Sequence, residues 1–197
     1  MYLFFDIETT GLPKTRKASP ADLDNWPRII QLAWALYDQG GALIQSKCDL
    51  IRPNGWEIPK EKFWIDNGFS TEESQEKGVP LYFALEDFIM QINKSEFLIA
   101  HNMDFDLPVT QSEMIRAKMR ASKIPHKFCT MKAATDICRI PGQYGRFKWP
   151  SLEELHLHLF GNKFEGAHDA LVDVSACAKC FFELKNQKLI DLTLIYL

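Results

Sequence analysis

Two acidic residues stand at the end of the apolar run that opens the chain, and they constrain the fold more than any other feature. Residues Tyr2–Ile7 form an aromatic-rich segment of strand length. Side chains two positions apart on a strand share a face, and a rise of ~3.3 Å per residue separates Asp6 from Glu8 by roughly 6–7 Å. Carboxylates spaced in this way can share divalent cations, which lie ~3.5–4 Å apart in two-metal phosphoryl-transfer sites. The alternative for this pair alone is that Asp6 begins a turn and Glu8 is solvated.

The length and composition are those of one globular domain. The chain has 197 residues, of which 46% are hydrophobic and 25% are charged. We expect a single domain spanning residues 1–197, with an apolar C-terminal tail at 189–197 whose role is unassigned. No run of 18 apolar residues predicts a transmembrane helix. The chain begins with strand-like sequence rather than a signal peptide, and its five cysteines lack framework spacing, so we expect a cytoplasmic protein without disulfides or membrane contact.

The hydrophobic pattern predicts an α/β fold. Residues 28–37 alternate in polarity, and residues 42–51 return after a Gly-Gly turn, so the chain opens with an antiparallel meander of three strands. Short strands predicted near 97–100 and 127–129 then alternate with helices. The predicted helices cover residues 60–67, 71–77, 80–92, 106–122, 131–138 and 151–160, and a last helix starts near Asp169. This order predicts a mixed sheet with helices packed on it.

Charge is distributed unevenly, although the net charge is only −3. Between residues 116 and 148, nine lysines and arginines accompany a single acid, Asp136. A basic zone in an acidic protein suits a polyanionic ligand, and a solvated helix face is the alternative interpretation.

Two further polar motifs lie far from the first. Residues 101–106 read His-Asn-Met-Asp-Phe-Asp, and residues 168–173 read His-Asp-Ala-Leu-Val-Asp. The order Asp-x-Glu, Asn-x-x-Phe-Asp and His-x-x-x-x-Asp resembles that of the DEDDh 3′–5′ exonucleases, which include the proofreading subunit of bacterial DNA polymerase and the ribonuclease T type enzymes. The motifs extend from Asp6 to Asp173, so the resemblance covers nearly the whole chain. It implies a ribonuclease-H-like fold, in agreement with the predicted mixed sheet.

The resemblance also implies a reaction and its catalytic residues. Asp6, Glu8, Asp106 and Asp173 are expected to hold two divalent ions, Mg²⁺ or Mn²⁺, for which oxygen ligands are suited. With His168 as general base, the enzyme is expected to release nucleoside 5′-monophosphates from the 3′ ends of single-stranded DNA or RNA. From its position alone, Asp106 is equally a helix N-cap.

The spacing of the last motif places its two residues in different structures. Residues five apart on a helix point about 140° from each other. We therefore expect His168 in the loop before the last helix, Asp169 at its cap, and Asp173 in its first turns. A partly exposed histidine there suits a general base, and a lone surface histidine is the alternative.

Substrate contacts are expected from three segments. In the family, the segment after the first carboxylates and the phenylalanine of the second motif hold the terminal nucleotide. The corresponding residues here are Thr9, Thr10, Gly11 and Leu12 in the segment and Phe105 in the motif. We also expect a substrate contact from the asparagine of that motif, Asn102. Arg116, Arg120 and Lys123 fall on one face of the predicted helix and are expected to contact phosphates. The chain carries Asn67-Gly68 where many relatives carry His-Gly.

The alternative function is a catalytically silent module of the same fold that binds nucleic acid or docks on a polymerase. The presence of all five expected catalytic residues argues against it. From the resemblance, the candidate protein partners are a polymerase and a second copy of the chain.

Replacing His168 with alanine tests the predicted base. A general base contributes typically ~10²–10⁴-fold to the rate, so kcat should fall by that factor while Mn²⁺ affinity, measured by calorimetry, stays nearly unchanged. The wild-type rate should decrease as the pH drops through the ordinary imidazole range, and the variant should lose this limb of its pH profile. Much weaker Mn²⁺ binding by the variant would identify His168 as a ligand instead.

Overall fold

A mixed sheet forms the centre of the fold in the computed structural model, which describes residues 1–166 and 169–192. Its strands are, in chain order, β1 (Tyr2–Thr9), β2 (Ile29–Tyr37), β3 (Leu43–Leu50), β4 (Phe97–Ala100) and β5 (His126–Cys129). They lie side by side in the order β3-β2-β1-β4-β5. The β3-β2-β1 part is antiparallel, which confirms the predicted meander, and β4 and β5 continue the sheet parallel to β1.

Helices cover the sheet and fill most of the connections after the meander. They are, in chain order, α1 (Lys62–Asp66), α2 (Thr71–Lys77), α3 (Leu81–Lys94), α4 (Met103–Arg116), α5 (Thr130–Ala133), α6 (Thr135–Cys138), α7 (Leu152–Phe160) and α8 (Ala170–Asn186). The helix predicted at 131–138 is therefore divided into two short helices. Within the described residues, no helix combines the length and apolar character needed to cross a membrane.

Both faces of the central strand β1 are buried, so its successive residues from Tyr2 to Phe5 are apolar. On one face, the ring of Phe5 packs 5.2 Å from that of Phe88 on α3. On the other face, Phe4 packs 5.3 Å from Phe181 on α8. Asp6 follows Phe4 in the series that faces α8, because alternate side chains share a face. Its carboxylate consequently enters a layer that is otherwise apolar.

Two helices begin at side-chain caps, and the cap at Asp169 is the one that the sequence predicts. Ser151 Oγ accepts a hydrogen bond from the backbone N–H of Glu154 (3.2 Å), and the Glu154 carboxylate accepts one from the N–H of Ser151 (2.8 Å), completing a capping box. Asp169 caps α8 by accepting from the N–H of Leu171 (2.9 Å). This cap places Asp173 in the first turn of α8.

Helix α4 differs at both ends from the predicted helix over residues 106–122. It begins at Met103, whose side chain is buried in the core, so Asp106 lies inside the first turns rather than at the N-cap. It ends at Arg116, since Lys118 adopts the left-handed backbone conformation (φ 56°) that terminates helices. The prediction of both boundaries was wrong.

The end of α4 removes the helix face on which Arg116, Arg120 and Lys123 are predicted to lie. Arg120 and Lys123 follow the helix and line an apolar cavity together with Met114 and Met119. The predicted helix face is therefore not formed, and the expected phosphate contacts of the three basic residues stay a prediction.

Arg116 instead takes part in a buried ion-pair cluster around Glu113. The Glu113 side chain is 1% exposed and accepts hydrogen bonds from Nε of Arg28 (2.7 Å) and the backbone N–H of Ile29 (3.2 Å). Arg116 lies 3.3 Å from the same carboxylate and donates to the carbonyl of Trp26 (2.9 Å). The cluster ties the long loop before β2 to α4.

Removal of the Glu113 carboxylate should destabilise the fold. Glu113→Ala leaves two partly buried guanidinium groups without their partner, and we expect the free energy of unfolding to fall by about 3–5 kcal/mol. The control Asp66→Ala removes an exposed pair with Lys62 and should cost less than ~0.5 kcal/mol. Chemical denaturation measures both variants, and equal stabilities would contradict the role of the cluster.

Candidate active site

Three carboxylates meet at the carboxyl end of β1. Asp6 and Glu8 project from the same face of the strand, and the first turn of α8 brings Asp173 beside them. One carboxylate oxygen of each residue lies within 4.8 Å of the corresponding oxygens of the other two. The structure thus brings together the first and last acidic motifs of the sequence.

Asp106 adds a fourth carboxylate from α4, close enough to raise the pKa of Asp6 through charge repulsion. Its side chain is 3% exposed, and its Oδ2 atom has no hydrogen-bond partner in the described residues. The side-chain oxygen of Asn102 is likewise buried without a partner. Buried acceptors are rarely left without a donor, so these oxygens indicate a site for a cation. Carboxylate oxygens are the ligands that Mg²⁺ and Mn²⁺ prefer, and the residues present therefore fit these ions.

The proximity of these acids makes their ionisation unfavourable. Burial raises the pKa of Asp6 well above its usual value, and the charges of Asp106, Asp173 and Glu8 raise it further. Burial, followed by the charges of Asp173 and Asp169, raises the pKa of Glu8 to about 8. The pKa of Asp106 is also raised, mainly by burial. Without cations, the cluster therefore retains protons at neutral pH, and bound cations would take their place.

The segment after the acids has open space in front of it. Thr9 Oγ1 donates to the carbonyl of Gly11 (2.8 Å), and Thr10 Oγ1 accepts from the backbone N–H of Arg28 (3.0 Å). A side chain added at Gly11 would meet no atom within 4 Å, and Leu12 is exposed. The predicted substrate segment is thus accessible beside the carboxylates.

The other expected nucleotide contacts lie near the start of α4. Asn102 directly precedes the helix, and Phe105 is half-buried against the core. Asn67, at the position where many relatives have histidine, donates to the carbonyl of Phe63 in its own helix (2.7 Å).

Sequence reasoning missed two residues that position these elements. Trp64 Nε1 donates to the carbonyl of Thr9 (2.9 Å) and fixes the segment that follows the acids. Gln31 on β2 accepts from the backbone N–H of Ala170 (3.1 Å) and fixes the start of α8. Gln31 could have been identified from the sequence, because it is a polar residue within an apolar strand. No sequence pattern indicates the contact of Trp64 with Thr9.

His101 supports the end of β4. Burial lowers its pKa to about 4, so its ring is neutral at physiological pH. The ring lies 3.0 Å from the carbonyl of Pro150 through Nε2 and 2.9 Å from the Thr130 hydroxyl through Nδ1. Since a carbonyl only accepts, Nε2 carries the proton and donates to Pro150, whereas Nδ1 accepts from Thr130.

His168 lies outside the described residues. Its expected role as general base therefore stays a prediction from the sequence.

The family model described as "Exonuclease" (RNase_T) matches residues 3–181. This match extends over most of the chain and includes all four carboxylates. The chain therefore belongs to the RNase T exonuclease family, and its class is that of the nucleases.

Solved structures of exonuclease I have the same fold. The E. coli enzyme in complex with a dA16 oligonucleotide aligns with a TM-score of 0.74 and 20% identity, over 95% of this chain and 42% of that one. Product-bound exonuclease I aligns with a TM-score of 0.70 and 18% identity, over 95% of this chain and 44% of that one. The chain thus spans less than half the length of these enzymes. No curated protein matches the sequence.

The raised pKa values predict an unusual dependence of stability on pH. The folded state holds the Glu8 proton up to a pKa of about 8, whereas the unfolded state releases it near 4.5. The folded state therefore binds more protons in this interval, and metal-free stability should fall as the pH rises from 5 to 8. Glu8→Gln removes this titration, and we expect it to stabilise the metal-free protein at pH 8 by on the order of 2–4 kcal/mol.

Urea denaturation in a chelating buffer between pH 5 and 8.5 measures this effect. Asp104→Asn is the matched control, because Asp104 pairs with Lys132 and stands outside the three-carboxylate group. Parallel stability profiles for wild type and Glu8→Gln would show that Glu8 ionises normally.

Proposed function

We propose that this chain is a divalent-metal-dependent 3′–5′ exonuclease that releases nucleoside 5′-monophosphates from single-stranded nucleic acid. The observation that carries the proposal is the half-buried group of the Asp6, Glu8 and Asp173 carboxylates at the end of β1, in a chain of the exonuclease family. Such a group is costly to maintain unless cations compensate its charge.

Asp6, Glu8, Asp106 and Asp173 would hold two ions. When bound, Mg²⁺ or Mn²⁺ supplies charge neutralisation at the scissile phosphate and makes water acidic enough to react near neutral pH. The positive charge of the ions would offset the electrostatic repulsion among the four carboxylates. The buried side-chain oxygens of Asp106 and Asn102 support this assignment, because neither has a hydrogen-bond partner in the described residues and each could bind a cation.

The remaining residues position the substrate and move the proton. His168 accepts the proton of the attacking water, the role that the motif His-x-x-x-x-Asp gives it. The Thr9–Leu12 segment, fixed by Trp64, receives the terminal nucleotide beside the carboxylates. Phe105, half-buried near the start of α4, contacts the same nucleotide. Positioning of this kind contributes to rate by holding the reacting groups in order.

A single strand is the substrate that we infer. Support comes from exonuclease I, a structural neighbour that was determined with a bound dA16 oligonucleotide. A substrate panel of single-stranded DNA, single-stranded RNA and dinucleotides, assayed with Mg²⁺ and with Mn²⁺, ranks the substrates. Uniform binding without cleavage of any of them would favour the alternative, a silent module that docks on a polymerase or on a second copy of the chain.

Asp6→Ala should abolish turnover without destabilising the fold. The change removes one carboxylate from a crowded acidic group, so the melting temperature without metal should be equal or higher than that of wild type. We expect a decrease in kcat of at least ~10³-fold, since loss of a metal ligand removes transition-state stabilisation. Release of mononucleotides from a 5′-labelled single strand measures the activity.

Two controls accompany this assay. Asp104→Asn should retain activity, because Asp104 pairs with Lys132 rather than with the carboxylate group. A phosphorothioate at the 3′-terminal linkage should block wild-type digestion, whereas the same group at the 5′ end should not. Near wild-type cleavage by Asp6→Ala would refute the metal assignment, and digestion from the 5′ end would refute the polarity.

A further inference from the structure

An exposed hairpin connects α6 to α7, and we name it the basic aromatic arm (residues 139–149). The backbone N–H of Gly142 donates to the carbonyl of Arg146 (2.9 Å), and that of Lys148 donates to the carbonyl of Ile140 (3.0 Å). Every residue from 141 to 149 is exposed. The arm is therefore an ordered structure that contributes almost nothing to the core.

The tip of the arm has a residue that the turn does not favour. Tyr144 and Gly145 both adopt positive φ angles, of 56° and 72°. Hairpin turns with two such residues normally use asparagine, aspartate or glycine, because a bulky side chain is strained there. The Tyr144 ring is 96% exposed and thus gains no burial in return. Stability of the fold does not explain a tyrosine at this position.

The composition of the arm suits a single-stranded nucleic acid. Three aromatic side chains, Tyr144, Phe147 and Trp149, are exposed along it. Three basic residues alternate with them, and the arm contains no acid. Lys148 pairs with Glu154 of α7, whereas the Arg146 guanidinium has no partner in the described part of the chain. Aromatic faces stack on bases, and cations alongside them contact the phosphates.

The base of the arm is attached at the active-site edge of the sheet. Pro150, immediately after the arm, accepts the hydrogen bond from His101, which follows the last residue of β4. Strand β4 pairs in parallel with β1, whose carboxyl end carries Asp6 and Glu8. Neighbouring strands are ~4.8 Å apart, so the base of the arm lies at the same end of the sheet as the carboxylates.

We propose that the basic aromatic arm binds the single strand on the 5′ side of the nucleotide being removed. Bases stack on Tyr144, Phe147 and Trp149, and Arg146 contacts a phosphate. The inference rests on the proposed function and adds to it a second binding element, which the described catalytic residues do not supply. Because every base has an aromatic face, the arm holds the strand without selecting its sequence.

Equilibrium binding tests the arm without catalysis. The probe is a fluorescent 12-nucleotide single-stranded DNA in a chelating buffer, titrated with the full chain. Stacking of one base is worth enough to predict a ~5- to 100-fold increase in Kd for Tyr144→Ala. The matched control is Tyr82→Ala, since Tyr82 is an exposed aromatic residue on α3, and its Kd should equal that of wild type. An unchanged Kd for Tyr144→Ala would overturn the proposal.

A second measurement examines the phosphate contact. Arg146→Gln should reduce the slope of log Kd against log salt concentration by about 0.7, the value for one phosphate contact on a single strand. Lys94→Gln is the control, because Lys94 is exposed just before the start of β4, at the opposite end of the sheet from the carboxylates, and its slope should match that of wild type. An unaltered slope for Arg146→Gln would contradict the contact.

Gly142→Ala tests whether the hairpin conformation matters. An added Cβ would lie 2.7 Å from the carbonyl oxygen of Arg146 and 2.8 Å from the backbone nitrogen of Lys148, so it opens the hairpin while leaving Tyr144 and Arg146 in place. The Kd should rise as in Tyr144→Ala, and wild-type affinity would contradict a role for the ordered arm.

Kinetics separate this inference from the proposed function. Tyr144→Ala should raise KM for the 12-mer and leave both kcat and the KM for a dinucleotide unchanged, because a dinucleotide occupies only the terminal positions. If wild type cleaves the 12-mer and Tyr144→Ala has the same KM for it, the proposed role of the arm is wrong and the exonuclease activity stands. If Tyr144→Ala raises Kd but wild type cleaves no substrate, the proposed exonuclease activity is wrong and the role of the arm in binding stands. Loss of self-association in Tyr144→Ala at constant Kd would assign the arm to a protein contact instead.

Discussion

Repulsion among four clustered carboxylates determines the properties of the active site. Asp6 enters an apolar layer of the core, where burial and the neighbouring acids raise its pKa well above the usual value. Glu8 shares this environment, with a pKa of about 8. An arrangement that opposes ionisation in this way is typical of functional sites, because it is costly and serves no structural purpose. The proposed divalent cations would turn the repulsion into ligand binding.

The fold holds these acids together through contacts that lie away from them. The Asp169 cap and the bond from Ala170 to Gln31 set the position of α8, which carries Asp173. Helix α4 carries Asp106 and is joined to the start of β2 through the Glu113 cluster. The site therefore depends on three separate elements, β1, α4 and α8, each fixed against β2 or its preceding loop.

Local sequence signals were sufficient for most of the fold, and long-range packing accounts for what they missed. The meander and the Ser151 capping box follow from alternation and from cap chemistry within a few residues. The boundaries of α4 do not, because burial of Met103 extends its start and the left-handed conformation of Lys118 ends it. The inward orientation of Arg116 likewise depends on Glu113 and on carbonyls of a distant loop. The acidic motifs were visible because carboxylates are conspicuous in an apolar strand, whereas the contact between Trp64 and Thr9 has no such pattern.

Proton release on cation binding tests whether the carboxylate group is a cation site. Mn²⁺ is titrated into the metal-free protein at pH 7 in two buffers that differ in their enthalpy of ionisation, and the difference in heat gives the number of protons released. Because the pKa of Glu8 is about 8 and that of Asp6 is also raised, we expect saturable binding with net proton release. Binding heats that are independent of the buffer, or an absence of binding, would contradict the assignment of the carboxylate group as a cation site.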